Sequence, residues 1–190
     1  MPAVERITKG ELCEHLELLD LEARRLRFGY SASDASIDAY TKGIPAHDYI
    51  LGIRESVTSN RIVAAIHMSI AEDGKSAEMG LSTLKESRRK GLAERLLRYT
   101  VDMLRNRGIT QIYSVCLPDN LPLLSLIRKL NITSITSTED DKQAVISIPM
   151  AGIDSIVNEI YNQRMVMIDH SMKPWAALWE NMLVKNEQKT

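Results

Sequence analysis

The chain has 190 residues, 44% hydrophobic and 26% charged, with a formal net charge of −1. That length and balance suit one soluble domain able to bury a sizeable core. A charge so near zero excludes any global attraction to nucleic acid or to an acidic membrane, so anion binding must be local.

The first predicted elements are helical. Leu12, Leu16, Leu19, Leu21 and Leu26 recur at roughly helical spacing and predict one or two helices. "SASDASIDAY" adds another, with Ser or Asp as cap and Ile37 and Tyr40 one turn apart. The pattern then changes to short β-branched runs, Tyr49–Ile53 and Arg61–Ile70, which predict an antiparallel hairpin. "EDGK" turns the chain into a third strand, Ser76–Leu84.

A helix follows, with Leu92, Leu96, Tyr99 or Thr100, and Met103 on one face and Gly108 placed to end it. Thr110–Leu117 reads as a strand at a sheet centre, covered on both sides. "PDN" with Pro122 starts a helix over Leu123–Leu130. "ITSITS" and "AVISIPM" form a closing hairpin around "TEDDK", a solvated turn, and the tail from Ile153 is helical with a break near "HSMKPW". The whole predicts a mixed α/β domain with one strand–helix–strand crossover.

Cys13 and Cys116 lie outside any CxxC or Cys/His cluster, so neither zinc nor a disulfide framework is indicated. His15, His47, His67 and His170 show no ligand spacing and read as structural or solvent-facing. The N-terminus lacks a signal peptide's basic start and apolar core, and no apolar run spans a bilayer. A cytoplasmic protein with no metal and no membrane or nucleic-acid partner is the expectation.

The chemistry concentrates in "ESRRKGLAERLL", Glu86 to Leu97. A helix start exposes unpaired N–H groups and partial positive charge, which suits phosphate. Gly91 lets a ligand approach the backbone closely, Ala93 keeps the next turn small, and Arg88, Arg89, Lys90 and Arg95 add charge. Composition alone leaves a solvated helix start equally open. A Walker loop and a dinucleotide fingerprint are both absent.

"LSTLKESRRKGLAERLL", Leu81 to Leu97, resembles the acetyl-CoA signature of the GNAT superfamily of N-acyltransferases, Q/R-x-x-G-x-G/A, met by Arg88, Gly91 and Ala93. The order of elements from Ile7 to Met150 resembles that family too. The resemblance implies a GNAT-like, mostly antiparallel sheet with a central crossover in a domain over residues 1–150. Residues 151–190 would be a C-terminal helical extension packed on the domain or at a homodimer contact.

The same resemblance implies that loop amides from Arg89 through Lys90, Gly91, Leu92, Ala93 and Glu94 cradle the CoA pyrophosphate, with Arg88 beside them. It places Ser82, Thr83 and Leu84 along the pantetheine arm, and Asn120 against that arm, where a plain helix cap is the alternative. Glu78 falls where several family members carry a general-base glutamate; burial beside the sheet would suit it to that task, and an exposed edge residue is the alternative.

One departure stands out. Ile127 occupies the place of a tyrosine that serves many members as general acid, and Asn131 and Ile132 replace the usual Gly-Phe. Ser125, Tyr113 and Cys116 offer no better acid. "LEARRLRFGYSASDASIDAY" resembles the same segment in GNAT domains of bacterial protein-lysine acetyltransferases, with Phe28, Tyr30 and Tyr40 as pocket or core. The implied function is transfer of an acetyl group from acetyl-CoA to a primary amine of a protein or small molecule. The alternative is an acyl-CoA-binding sensor with weak catalysis.

Overall fold

The structure, a computed structural model, describes residues 2–115, 117, 119–130, 133–135 and 143–187. Cys116, Asn131, Ile132 and the "TEDDK" segment lie outside the described residues. The chain opens with a strand the sequence did not suggest, β1 (Val4–Arg6), too short to show an alternating pattern.

Three capped helices follow. Thr8 and Glu11 form a reciprocal capping box at the start of α1 (Lys9–Glu17). Asp20 caps α2 (Leu21–Phe28), which Gly29 ends in the left-handed region at φ 82°. Ser33 caps α3 (Asp34–Gly43). The strands β2 (Tyr49–Arg54), β3 (Ile62–Ile70) and β4 (Ser76–Thr83) then form an antiparallel meander.

α4 (Leu92–Arg105) links β4 to β5 (Gln111–Val115), and it buries Leu92, Leu96, Leu97, Thr100, Val101, Met103 and Leu104. After α5 (Leu121–Lys129) come β6 (Thr133–Ile135) and β7 (Gln143–Ser147). Together the strands make a seven-stranded sheet of order β1-β2-β3-β4-β5-β7-β6. Among these pairs only β4 with β5 runs parallel, so α4 is the crossover that the sequence pattern predicts. α1 packs on β3 and α2 on β4, while α4 lies against β2, β3 and β4, so the sheet is covered on both faces.

The tail departs from expectation. α6 is one continuous helix, Ile153–Glu187, with Pro174 inside it, and the break predicted near "HSMKPW" does not occur. Pro174 is exposed, so the backbone bond it forfeits faces solvent rather than a packed surface. α6 packs on α4 and on β1. The Asn162 amide satisfies both outward backbone groups of Val4, accepting from its N–H at 3.2 Å and donating to its carbonyl at 2.6 Å. Asp169 accepts the Ala3 N–H at 2.6 Å. An otherwise open sheet edge is thereby covered. The far side of α6 leaves Ile153, Val157, Tyr161, Met167, Met172 and Trp175 exposed. No helix among the described residues is long and apolar enough to cross a membrane.

Candidate active site

Among the described residues β4 and β5 pair only at Ser76–Gln111, Ala77–Ile112 and Glu78–Tyr113. β4 runs on to Thr83 with its pairing to β3 intact, and β5 continues to Val115 paired with β7. The two parallel strands therefore part after Glu78 and leave a cleft at their carboxyl ends, where open α/β sheets take ligands. From Glu78 to Thr83 the exposed edge is about 16 Å long at ~3.3 Å per residue.

At the far end of that edge the chain makes a short 3-10 turn, Lys85–Ser87, and enters α4. Arg89 and Gly91 both lie in the left-handed region, at φ 64° and 76°. A non-glycine residue held there costs ~1–3 kcal/mol, and such strain collects at ligand clamps. Gly91 is the N-cap of α4, and no side chain caps the helix. The first intrahelical bond runs from the Arg95 N–H to the Gly91 carbonyl, leaving the N–H groups of Leu92, Ala93 and Glu94 ahead of it. A β-carbon on Gly91 would meet nothing within 4 Å, so the approach is open.

The surrounding side chains divide. Arg89 and Lys90 are exposed and form no ion pair among the described residues. Arg88 turns back, its Nε donating to the Thr83 carbonyl at 3.4 Å and its guanidinium 3.8 Å from Asp20. Glu94 is held by Arg98 at 3.0 Å and Lys129 at 3.5 Å, and its pKa is lowered chiefly by the Arg98 bond. Arg95 Nη1 is buried without a hydrogen-bond partner among the described residues, one turn into the helix. An open, uncapped amide cluster with an orphaned guanidinium nitrogen nearby fits a polyanion.

Leu84 is buried, and Ser82 and Thr83 are half-buried on the exposed edge of β4. The Ser82 side chain faces α1: its hydroxyl donates to His15 Nε2 at 2.9 Å, while His15 Nδ1 donates to the Ile62 carbonyl at 2.8 Å. Burial pushes the His15 pKa down to about 4, so this ring is neutral. Asn120 is buried, caps α5 through the Leu123 N–H at 3.2 Å and reaches the Leu26 carbonyl at 3.4 Å. With the Arg25–Asp119 ion pair at 2.6 Å it ties α5 to α2 across the cleft.

At the other end of the exposed edge lies a cavity of about 380 Å³ between α2, α3, β3 and β4. Glu78 lines it but is exposed, so the burial expected for it is not found. Opposite Glu78 stands Ser69, and opposite Gly80 stands His67, all four on one face of the β3–β4 pair. His67 Nε2 lies 2.9 Å from Asp48, and His67 Nδ1 lies 2.6 Å from the Tyr40 hydroxyl, to which Arg27 Nη2 donates at 2.7 Å. Asp48 also accepts the Ile70 N–H at 3.2 Å.

This chain of four side chains was not legible in the sequence. Arg27, Tyr40 and His67 come from three elements and Asp48 from the turn before β2, they share no spacing, and His67 reads there as a structural histidine. The aromatic segment Phe28–Tyr40 does reach the cavity: Tyr40 lines it and Phe28 packs edge-on against Tyr40 at 5.4 Å. Ile127 is fully buried, so the place of the expected tyrosine lies in the core.

A parallel pair that parts beside an uncapped helix start defines a fold for holding an extended, anionic ligand beside a cavity. The sequence profile described as the acetyltransferase (GNAT) family matches residues 15–132. The chain belongs to that family. Among solved structures it resembles the GNAT domain of S. lividans PAT, with 18% identity, TM-score 0.61, and 75% of this chain and 87% of that one covered. It also resembles the ribosomal-protein-S18-alanine N-acetyltransferase of Escherichia coli, with 15% identity, TM-score 0.57, and 81% and 98% covered. A third likeness is to yncA of Salmonella typhimurium, a putative acetyltransferase solved with its cofactor acetyl-CoA, with 12% identity, TM-score 0.59, and 77% and 93% covered. At these identities the likeness establishes the fold. A search of curated proteins finds no match.

Proposed function

We propose that the protein is an N-acetyltransferase that moves the acetyl group of acetyl-CoA to a primary amine by direct attack on the thioester. One observation carries this: β4 and β5 part after Glu78, and the free edge leads from the cavity to the uncapped start of α4. In this reading the diphosphate rests on the amides from Arg89 to Glu94, with Arg89 and Lys90 free to pair with it. The pantetheine arm pairs along Ser82, Thr83 and Leu84, and the thioester arrives at the level of Gly80 and Glu78. Asn120 keeps α5 in place at the mouth of the cleft.

An ammonium cannot attack until it loses a proton, and Glu78 stands at the cavity rim to take it, directly or through water. The acceptor is an amine of a protein or a small molecule, and the protein acts in the cytoplasm. A second reading, an acyl-CoA-binding module of weak activity, is favoured by the burial of Ile127 where a phenol would serve as acid.

Calorimetric titration with acetyl-CoA tests the site. Wild type should bind, and a folded Gly91→Glu variant should not, because the new side chain would put bulk, charge and a strained φ of 76° into the anion seat. Equal binding by both would remove the seat from α4. Release of CoA thiol with spermidine, free lysine or a lysine peptide then separates the enzyme from the binding module.

A further inference from the structure

Between ammonium and amide the acceptor nitrogen sheds two protons. One ends on the sulfur of the released thiol and the other in solvent, so two proton carriers are needed if neither transfer relies on chance. We propose that Tyr40, backed by His67 and Asp48, takes the second proton from the nitrogen and returns it to the departing sulfur, while Glu78 passes the first to solvent. The proposal rests on the acetyltransferase reading of the same site.

The hydrogen-bond directions follow from the chemistry of the groups. A carboxylate only accepts, so His67 Nε2, 2.9 Å from Asp48, must carry a hydrogen. Neutral His67 then presents a lone pair at Nδ1, and the Tyr40 hydroxyl at 2.6 Å must donate to it. The proton of Tyr40 is thus committed inward, and its oxygen keeps lone pairs for the cavity, one of them already taken by Arg27 at 2.7 Å. A hydroxyl so placed can accept a proton from a substrate while passing its own to the imidazole; the second of these transfers is the one that hydroxyl–imidazole–carboxylate chains perform.

The surroundings suit a proton that must be kept rather than lost. His67 and Asp48 are buried, and Tyr40 is half-buried against Phe28. Burial lowers the His67 pKa below its usual 6.5, opposed by its bond to Asp48, so the ring starts neutral and readily gives a proton back. The charged groups around it are Arg27 on α2, Asp48 in the turn before β2 and Glu78 on β4, with the His47 ring 3.5 Å from Asp48. Exposed Glu78, in contrast, exchanges with solvent, and buried Ile127 leaves α5 with no acid at that position.

The step balances. The nitrogen lone pair forms the N–C bond as the carbonyl π pair moves to oxygen. A nitrogen proton passes to Tyr40 Oη, and the proton of Tyr40 passes to His67 Nδ1. The oxygen pair re-forms the carbonyl, the C–S bond breaks, and sulfur leaves with its electrons. The chain then runs backwards: His67 reprotonates Tyr40, whose other proton goes to sulfur. Tyr40 is the catalytic residue here; His67 and Asp48 position and support it.

The test measures thiol release from acetyl-CoA with saturating spermidine, free lysine or a lysine peptide, whichever the wild type acetylates fastest. Tyr40→Phe should lower kcat by on the order of 10²–10³, within the usual range for lost acid–base catalysis, with acetyl-CoA affinity by calorimetry unchanged. His67→Gln should lower it comparably, and the double variant should be no worse than the worse single one, because the two act as a unit. Tyr40→Phe combined with Glu78→Gln should instead multiply the two losses. In wild type kcat should fall on the acid side as His67 becomes protonated, and His67→Gln should lose that limb.

A folded Tyr40→Phe variant with wild-type kcat overturns the relay, and so does a multiplicative loss in the Tyr40/His67 double variant. If Tyr40→Phe does not fold, the pH profile of His67→Gln decides, and an unchanged acid limb overturns the relay. A wild type that binds acetyl-CoA but acetylates none of the probes defeats the acetyltransferase reading itself, an outcome distinct from the loss of the relay alone.

Discussion

The Arg27 guanidinium lies against Gly80 so closely that a β-carbon there would sit 2.0 Å from its Cζ. Gly80 faces His67 across the β3–β4 ladder, so the missing side chain is what admits Arg27 to the Tyr40 hydroxyl. Gly80→Ala should therefore push the guanidinium off Tyr40 while leaving the fold intact, since the displaced group is the mobile end of a long side chain. Losing a hydrogen bond from a charged donor costs about 1.5–3 kcal/mol of stability, so the melting temperature should drop, and kcat should fall because Tyr40 is no longer held in place. An Arg27→Met variant should show the same loss, and full activity in both would separate Arg27 from the chemistry.

Glu78 is assigned the proton that leaves for solvent. Glu78→Gln keeps the shape and removes the base, and steady-state kinetics should show kcat reduced by on the order of 10². Acetyl-CoA binding, measured by calorimetry, should stay at the wild-type level, because the diphosphate seat lies at the other end of the exposed edge of β4. A pH–rate profile identical to that of wild type would take Glu78 out of the mechanism.

Stability should depend on pH through His15. Its folded pKa, about 4, lies below the ordinary 6.5 because burial disfavours the charged ring, an effect the bond to the Ile62 carbonyl opposes without overcoming. Between those values the unfolded chain binds the proton and the native one does not, so the contribution is complete above about pH 6.5 and is lost as pH falls toward 4. The full loss is about 3 kcal/mol, at ~1.4 kcal/mol per unit. Urea midpoints measured across this window should fall with pH in wild type and fall less steeply in His15→Gln.

The edge of the sheet depends on α6. Asn162→Ala would strip both outward backbone groups of Val4 of their partner in a buried position. Each buried group left unpaired costs about 1–3 kcal/mol, so chemical denaturation should show a loss of about 2 kcal/mol or more. Hydrogen exchange at the Val4 amide should accelerate as well. A neutral substitution would mean that α6 lies on the sheet edge without holding it.

Much of this architecture was legible from local pattern. The Ser or Asp cap of "SASDASIDAY", the β-branched runs of β2 and β3, and the leucine face of α4 are local signals, and the structure places elements at each of them. β1 was missed because three residues show no period; it exists because β2 pairs on one side and Asn162 and Asp169 engage its backbone on the other. The continuous course of α6 departs from the local signal: a proline inside a helix forfeits one backbone bond and crowds the preceding turn, yet the helix runs through exposed Pro174.

By itself the sequence determined where the chain would turn, which faces would be apolar, and that Gly91 opens a helix behind three cations, since each depends on residues within a turn or two of one another. Tertiary structure decided that β4 and β5 part after Glu78, that Glu78 stays exposed at a cavity rim, and that Tyr40 meets His67. Tyr40 and His67 stand 27 positions apart, and Asp48 and His67 stand 19 apart. No local pattern encodes such a meeting: the packing of α3 on α1, which lies on β3, and the pairing of β2 with β3 bring those atoms within reach of one proton.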